Sequence, residues 1–341
     1  MDRVSDDHLF PASAAAYRGG LCGLGMHIPD GFVDGKTAIA AATLSATGLG
    51  LALRQVRREL PARRMPLLGL AAAFLFAAQM VNFPVAGGTS GHLMGGVLVA
   101  ALLGPSAAVV VLATVLLVQC LLFGDGGVSA LGSNLFDMGI LGAGGGFLVY
   151  RAVAARLRGL RGQVAALAFS SWCSVVFAAI GCAGQLAWSN TVAFATGFPV
   201  MTTVHMLVGL GEGAISALVF LAIHRVRPDL TSGEGQATRS GGFALGLLAV
   251  LGIAVFVVPF ASPLPDALEA TAHKLGFAAK VISPAVPAAA PDYRLPGIHS
   301  AIAATALAAA LGTLVVLGLA MILGKVLVGK PRGHSAKEPP C

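Results

Sequence analysis

The chain has 341 residues, of which 56% are hydrophobic and only 11% charged, and its mean hydropathy is +0.84. This composition excludes a soluble globular protein, in which about 25% of residues are charged. The net charge of +7 does not indicate nucleic-acid binding, because the basic residues lie in connections between apolar segments. Backbone groups in lipid must be hydrogen-bonded internally, so the predicted fold class is all-α, a polytopic transmembrane helical bundle.

Nine apolar segments follow one another along the chain, and we predict that eight or nine of them are membrane segments with shaped loops between them. Their approximate bounds are 36–53, 66–82, 92–104, 106–123, 132–152, 163–188, 202–223, 243–261 and 299–324. The third segment is too short to cross comfortably. The Gly104-Pro105 dipeptide at its end predicts a broken or re-entrant helix beside the fourth segment.

The charge of the connections predicts the orientation of the bundle. Sixteen of the 22 Lys and Arg residues follow the first, fifth, seventh and ninth segments, which places them on one side of the membrane if the chain alternates. We therefore predict a multi-pass protein of the cell (inner or plasma) membrane with a cytoplasmic C-terminus. The loops left on the outer side are 26–34, 82–92, 123–134, 188–201 and 259–297.

Composition divides the chain into five parts. Residues 1–25 are a leader of doubtful status, because they contain acidic residues and lack the apolar core of a signal peptide. Residues 26–227 are predicted to form the main membrane domain, and residues 228–241 a polar cytoplasmic linker. Residues 242–328 are predicted to form a two-helix module, which is followed by a cytoplasmic tail at 329–341.

The chain lacks the common sequence signatures of catalysis. Its five cysteines have no metal-ligand spacing, and the sequence contains no Walker A, GxSxG or HExxH motif. We therefore predict a transport component with no catalytic residues and no bound organic cofactor. Any ATP hydrolysis that transport requires must take place on another chain.

Two histidines lie in outer loops, His27 in MHIPDGF (26–32) and His92 in GTSGHL (88–93). Histidine is the commonest metal ligand, although each could also be an ordinary loop residue. If Met26 were the mature N-terminus, its amine, the His27 backbone nitrogen and His27 Nδ1 would form a chelate, and His92 could add a fourth nitrogen. Four nitrogens in a plane favour Ni(II) or Cu(II) over tetrahedral Zn(II).

These motifs resemble those of the CbiM/NikM family, the substrate-binding component of nickel/cobalt energy-coupling-factor (ECF) transporters. MHIPDGF looks like the N-terminal signature of that family, and VNFPV (81–85) with GTSGHL resembles its second stretch. FGDGG (123–127) and HMLVGLGE (205–212) resemble two more. PDALE (265–269), followed by PDY (291–293), is similar to the PDGLE module of the family's small accessory subunit, which is fused here.

The resemblance implies that Met26, His27 and His92 bind the transported ion, Ni(II) or Co(II). It also implies partners, namely an ECF-type transmembrane coupling protein and ATPase subunits in the same lipid bilayer, and no nucleic acid. The fusion of both modules favours nickel slightly, because separate chains are more usual for cobalt. Only His273 and His299 offer nitrogen ligands in the C-terminal module, so we expect that module to serve transport rather than ion capture.

Two departures from the family pattern affect these expectations. In the family the signature begins at the initiator methionine, whose free amine is a ligand, whereas here 25 residues precede Met26. Either translation starts at Met26 and not at Met1, or the leader is removed, or the site lacks its amine. Ala267 occupies the position of the PDGLE glycine, and a positive φ there would cost on the order of 1–2 kcal/mol.

Other polar residues of these motifs are candidates for supporting or gating roles. They are Asp30, Asn82, Ser90, Asp125, His205 and Glu212. Asp30 is predicted to cap the turn or helix after Pro29, with support of His27 as the alternative. Asp125 and Asp137 are predicted to have ordinary loop-turn roles unless they orient a ligand. A carboxylate inside an apolar segment is functional by default, but Glu212 could also be a hydrogen-bonded packing acid.

The predicted function is therefore capture of Ni(II) or Co(II) outside the cell and its release inward when a partner ATPase acts. The alternative is a self-sufficient secondary transporter of a metal ion or small metabolite, for which Glu212 is the one strong coupling residue. A membrane enzyme has little support. Genes for an ATPase and a second membrane subunit beside this one would separate the first two hypotheses.

Overall fold

The computed structural model describes residues 27–231, 240–284 and 286–328, so Met26, the leader and the tail at 329–341 lie outside the described residues. The described helices and strands are α1 (Gly35–Glu59), α2 (Met65–Gln79), β1 (Phe83–Val85), β2 (Thr89–Gly91), α3 (Gly96–Leu103), α4 (Pro105–Val118), α5 (Leu131–Leu135), α6 (Gly146–Ala154), α7 (Gly159–Trp188), α8 (Phe194–Val226), α9 (Pro228–Thr231), α10 (Ser240–Phe256), α11 (Ala267–Leu275) and α12 (Ala301–Val328).

All nine predicted apolar segments are helical, which confirms the all-α prediction. In the described parts of the chain, six helical stretches are long and apolar enough to cross a membrane, and they contain α1, α4, α7, α8, α10 and α12. The 15 residues of α2 and the eight of α3 are fewer than a full crossing requires. The protein is thus a multi-pass membrane protein in which some helices are short.

The C-terminal helices pack directly on the main membrane domain. Both α10 and α12 contact α2, while α7 packs along α8. A side chain at Gly69 of α2 would collide with Leu317 and Met321 of α12, so the missing side chain allows these two helices to approach closely. The core that results includes the fully buried Leu68 and Phe76.

The membrane segments depart from regular α-helix at the three places described here. Gly104, with a φ of 94°, separates α3 from α4 at the predicted break. The chain is π-helical at Gln119–Phe123, which continues α4, and at Phe136–Gly145, which joins α5 to α6. π-Helical turns are rare and occur frequently at functional sites. Here they begin close to the buried polar residues Gln119 and Asp137, and the sequence does not reveal them.

One end of the bundle, which we call the site end, is formed by residues 27–34, 80–95, 124–130, 257–284 and 286–300. The hairpin of β1 and β2 lies there, with Phe83 opposite Gly91. β2 also pairs with the C-terminal region, through a parallel bridge between Ser90 and Asp266. The site end thus combines loops from both halves of the chain.

Two helix boundaries differ from the sequence prediction. α8 begins at Phe194, eight residues before the predicted segment, although Pro199 lies inside it. Proline near a helix start removes only one early hydrogen bond, so the helix continues through it. The predicted linker at 228–241 begins with α9, and residues 232–239 lie outside the described residues.

Candidate metal centre

The loop that carries His27 is held at both of its ends. The Ile28 N–H donates to Asn134 Oδ1 (2.9 Å), and Asn134 Nδ2 donates back to the Ile28 carbonyl (3.1 Å). At the other end, Asp34 caps α1 by accepting from the Thr37 N–H (3.0 Å). The backbone on either side of His27 is therefore fixed relative to α1 and α5.

Asp30 joins this loop to the neighbouring one. Its carboxylate accepts from the N–H groups of Val128 (3.2 Å) and Ser129 (2.8 Å) and from the Ser129 hydroxyl (2.5 Å). The prediction that Asp30 caps the segment after Pro29 is wrong. α1 begins at Gly35, too far along the chain for Asp30 to reach its first N–H groups, and Asp34 caps it instead.

Asp125 contacts the His27 imidazole, with Asp125 Oδ1 lying 2.9 Å from His27 Nδ1, and both side chains are buried. Burial opposes protonation of His27, but the Asp125 carboxylate outweighs it, so the pKa of His27 is raised above its ordinary value. Burial also acts to raise the pKa of Asp125, yet the His27 charge and hydrogen bond hold it below the usual range. Asp125 therefore does more than shape a loop turn.

The other ring nitrogen of His27, Nε2, is buried and has no hydrogen-bond partner among the residues that the structure describes. An unsatisfied buried nitrogen beside a cavity is a suitable donor for a metal ion. The predicted chelate instead uses Nδ1, which here contacts Asp125. Formation of that chelate requires the ring to rotate, so that Nδ1 faces residue 26 and Nε2 faces Asp125.

The loop that carries His92 is held through its backbone. Glu212, fully buried in α8, accepts from the Met94 N–H (2.6 Å) and from the Gly95 N–H (2.8 Å). The His92 ring itself has a long contact, 3.4 Å, between Nδ1 and the Leu93 carbonyl. Burial lowers the pKa of His92 to about 4, so this imidazole is neutral near pH 7, as metal ligation requires.

His27 and His92 line one cavity of about 100 Å³, and their ring centroids are 5.8 Å apart. His205 and Ser90 line the same cavity, and His205 Nδ1 lies 2.8 Å from the Met201 carbonyl. Among residues 27–231, 240–284 and 286–328, no group of three or more His, Cys, Asp or Glu side chains is arranged to hold a metal ion. A metal centre on the two histidines therefore needs other donors, such as backbone nitrogen or an amine.

The C-terminal region supplies residues to this cavity that sequence reasoning did not identify. The Ser90 N–H donates to the Pro265 carbonyl (2.8 Å), and the Ser90 hydroxyl donates to the Leu264 carbonyl (2.8 Å). Asp266 lines the cavity, and its Oδ2 is buried with no hydrogen-bond partner. Burial raises the pKa of Asp266 to about 6. An acid just before a helix was the available signal, but no sequence pattern places it beside His92.

Tyr293 is a second residue that sequence reasoning did not identify. Its hydroxyl donates to Asp125 Oδ2 at 2.5 Å, although the two residues are 168 positions apart in the chain. The two histidines that the sequence offers in this region lie elsewhere, because His273 and His299 are exposed and do not line the cavity.

Ala267, at the position of the PDGLE glycine, is the first residue of α11. It is not among the residues with positive φ. The strain that would follow from a left-handed conformation at this position does not arise, because the first residue of a helix takes ordinary helical angles.

Asn82 and Asp137 occupy different places relative to the cavity. Asn82 is not part of its lining, and its backbone carbonyl accepts from the Ser262 N–H (2.9 Å), which links β1 to the C-terminal region. Asp137 does line the cavity, and Gln185 Nε2 donates to its Oδ1 at 2.7 Å. Asp137 therefore contacts a membrane helix instead of shaping a loop turn.

Comparison with known protein families identifies two regions. Residues 27–230 match the CbiM family, described as the cobalt uptake substrate-specific transmembrane region. Residues 241–329 match the PDGLE domain. The two matches lie on either side of the 232–239 segment.

Individual proteins are similar over most of the chain. A putative fused nickel transport protein NikMN of Archaeoglobus fulgidus is 37% identical over 303 residues, which cover 87% of this chain and 98% of the relative. A putative cobalt transport protein CbiM of Methanococcus voltae is 32% identical over 213 residues, 60% of this chain and 94% of the relative. A crystal structure of a truncated transition metal transporter has a TM-score of 0.54 at 29% identity, covering 59% of this chain and 99% of that one.

Proposed function

Because the chain belongs to the CbiM family of cobalt uptake substrate-specific transmembrane proteins and carries a PDGLE domain, we propose that it is the substrate-binding component of an ATP-driven ECF-type importer. Its proposed cargo is Ni(II) or Co(II), with nickel slightly preferred because a relative that matches 87% of the chain is a putative fused nickel transport protein. We assign ATP hydrolysis to partner ATPase subunits. A transmembrane coupling protein is proposed to link these subunits to this chain.

The observation that carries this proposal is the convergence of His27 and His92 on one cavity at the site end. One presents a buried nitrogen with no partner, and the other has a lowered pKa that keeps it neutral. Since the described acidic, thiol and imidazole groups form no three-membered set, the remaining donors are proposed to be the amine of Met26 and the His27 backbone nitrogen. A set of nitrogen donors favours Ni(II) over Zn(II).

We propose that the site end faces the outside of the cell and the arginine-rich connections face the cytoplasm. An ion held there at a micromolar dissociation constant needs about 8 kcal/mol at standard state to leave. ATP hydrolysis by a partner supplies that energy. The competing hypothesis, a secondary transporter, depends on Glu212 as a proton carrier, but both of its carboxylate oxygens already hold the backbone of the His92 loop.

Reconstitution tests the energy source. The purified chain is placed in vesicles alone, with either a proton gradient or a membrane potential imposed, and nickel uptake is measured. The expected result is binding without sustained uptake, and uptake that appears when the coupling protein, the ATPases and ATP are added. Gradient-driven nickel uptake by the chain alone would overturn the proposal in favour of the secondary transporter.

The role of Met26 is tested separately, by comparing the full chain with a chain that begins at Met26. Intact-mass analysis of each purified protein establishes its true N-terminus, and calorimetric titration gives its affinity for Ni(II). We expect tight binding only where the Met26 amine is free. Equally tight binding by protein that retains residues 1–25 would remove this amine from the site.

A further inference from the structure

We propose that Tyr293 is a positioning residue for metal binding, because its hydroxyl holds the Asp125 carboxylate in the orientation in which that carboxylate fixes the His27 ring. This inference rests on the proposed function, since it assigns a role within the proposed metal centre. It involves a residue of the PDGLE region that contacts neither histidine directly.

The contacts form a chain of two short bonds. The Tyr293 hydroxyl donates to Asp125 Oδ2 at 2.5 Å, and Asp125 Oδ1 lies 2.9 Å from His27 Nδ1. Each carboxylate oxygen therefore has its own partner, and the carboxylate cannot rotate without losing both. Bonds to an ionised acceptor are about twice as strong as neutral ones.

The tyrosine ring is itself held firmly. It stacks on Phe123, with ring centroids 4.7 Å apart and an interplanar angle of 15°, and it lies beside Phe76 at 6.2 Å. Both phenylalanines are buried in the main membrane domain. The position of the hydroxyl is thus set by the end of α4 and by α2, not by its own loop alone.

The backbone at this point is unusual. Asp292 and Tyr293 have φ values of 52° and 55°, a left-handed conformation that few residues other than glycine adopt. Strained conformations persist where the surrounding contacts over-determine them, and they cluster at functional sites. The stacking on Phe123 and the hydrogen bond to Asp125 are contacts that hold Tyr293 in place within this turn.

The Gln119 side chain lies near the Tyr293 hydroxyl. Gln119 Nε2 donates to Gln79 Oε1 (3.0 Å), and Gln79 Nε2 donates to the Met94 carbonyl (3.2 Å), so these two glutamines lead toward the loop that carries His92. Tyr293→Phe would keep the stacking but would leave Asp125 Oδ2 without its donor.

The consequence for binding follows from the role of Asp125. Partners that orient a ligand histidine commonly contribute about 10- to 100-fold to metal affinity. In the rotated ring that the chelate requires, Asp125 faces His27 Nε2 instead of Nδ1. Loss of the Tyr293 hydroxyl frees the carboxylate to turn away from that nitrogen, so the metal-bound ring loses its fixed orientation. Tyr293→Phe should therefore weaken Ni(II) binding by an amount in that range.

The experiment measures the Ni(II) affinity of the chain that begins at Met26 by calorimetric titration in detergent, with melting temperature as the check on folding. The variants are Tyr293→Phe, Asp125→Ala and the double variant, and Tyr150→Phe is the matched control because that tyrosine lies on α6, away from the cavity. We expect Tyr293→Phe to weaken binding about 10- to 100-fold, Tyr150→Phe to leave it unchanged, and Tyr293→Phe to add nothing once Asp125 is alanine.

The visible absorption of bound Ni(II) separates a positioning role from a structural one, because a change in ligand orientation alters the d–d bands while a loss of stability does not. The same spectral change is expected in Tyr293→Phe and Asp125→Ala. If Asp125→Ala does not fold, Asp125→Asn replaces it as the second background. Equal weakening by Tyr293→Phe in both backgrounds would overturn the proposal, and so would a lowered melting temperature with unchanged affinity and spectrum.

Failure of the proposed function gives a different result. If the wild-type chain that begins at Met26 binds neither Ni(II) nor Co(II), the metal centre itself is wrong and this inference fails with it. If the wild type binds tightly and Tyr293→Phe binds equally well, only the role of Tyr293 is overturned.

Discussion

The two histidines of the cavity are held in different ways. The His27 ring is fixed by a side chain, Asp125, at 2.9 Å, whereas the polar contact of the His92 ring is a long one, 3.4 Å, with the Leu93 carbonyl. The His92 loop is fixed instead through its backbone, by Glu212. One imidazole is therefore oriented directly and the other is placed by its loop, so substitutions around them should affect affinity and stability in different proportions.

The largest effects are expected from removing the imidazoles. His92→Ala and His27→Ala should each weaken Ni(II) binding by more than about 100-fold, beyond the range for losing an orienting partner. Only His27→Ala should also lower the melting temperature, because it leaves a buried Asp125 oxygen without a partner. Calorimetry and thermal unfolding of both variants measure this. Unchanged affinity in His92→Ala would remove His92 from the site.

The second largest effect is expected from Glu212, whose carboxylate holds the backbone of the His92 loop. Glu212→Gln replaces one acceptor by an amide that faces a backbone N–H, and we expect a loss of about 1.5–3 kcal/mol of stability. Denaturant unfolding in detergent measures the change. Glu59→Gln is the control, since Glu59 is exposed and bonds to Gln55 at the end of α1. Equal stability of both variants would show that the Glu212 carboxylate does not stabilise the His92 loop.

The contact between β2 and the C-terminal region should have a smaller effect. Ser90→Ala removes the hydroxyl bond to the Leu264 carbonyl and keeps the backbone bond to Pro265, so we expect a loss of about 1 kcal/mol. Ser106→Ala is the control, because its hydroxyl bonds to Gln55 far from the cavity. A larger loss of Ni(II) affinity in Ser90→Ala than in Tyr293→Phe would contradict the view that the His92 ring is placed by its backbone.

The smallest effect is expected at the helix cap beside the His27 loop. Asp34→Ala should lower the melting temperature slightly through the loss of the bond from the Thr37 N–H, with Ni(II) affinity unchanged. Asp34→Ser keeps a capping oxygen and should restore most of the stability. A marked loss of affinity in Asp34→Ala would show that the His27 loop is less firmly held by Asn134 and Asp30 than their hydrogen bonds indicate.

Much of the fold could be predicted from the sequence, because hydropathy is a local property of the chain. The nine segments and the break at Gly104 are visible in this way. The π-helical turns at Gln119–Phe123 and Phe136–Gly145 are not, since the local sequence there is also compatible with an α-helix and tertiary packing decides between the two. The sequence does not predict the early start of α8 either. A proline usually marks a helix boundary, whereas this helix begins at Phe194 and continues through Pro199.

The sequence indicates the two candidate histidines and also lists Asp125 and Glu212 as candidate supporting residues, but it does not indicate which residue contacts which. His27 and His92 stand in motifs that can be recognised, but the bond between His27 and Asp125 joins residues 98 positions apart. Tyr293 carries no signal of its own, because a tyrosine in a proline-containing loop is ordinary. Its role depends on folding, which brings the C-terminal region against Phe123.

The contacts between the two halves of the chain have a consequence for assembly. The Ile282 and Ala290 N–H groups donate to the carbonyls of Asp30 and Leu122, and such bonds add about 1 kcal/mol each to the packing of α10 and α12 on the membrane domain. A covalent connection through residues 232–239 makes their meeting intramolecular, at an effective concentration on the order of millimolar. Every copy of the membrane domain therefore has its own PDGLE region, in a fixed one-to-one ratio that does not vary with the expression level.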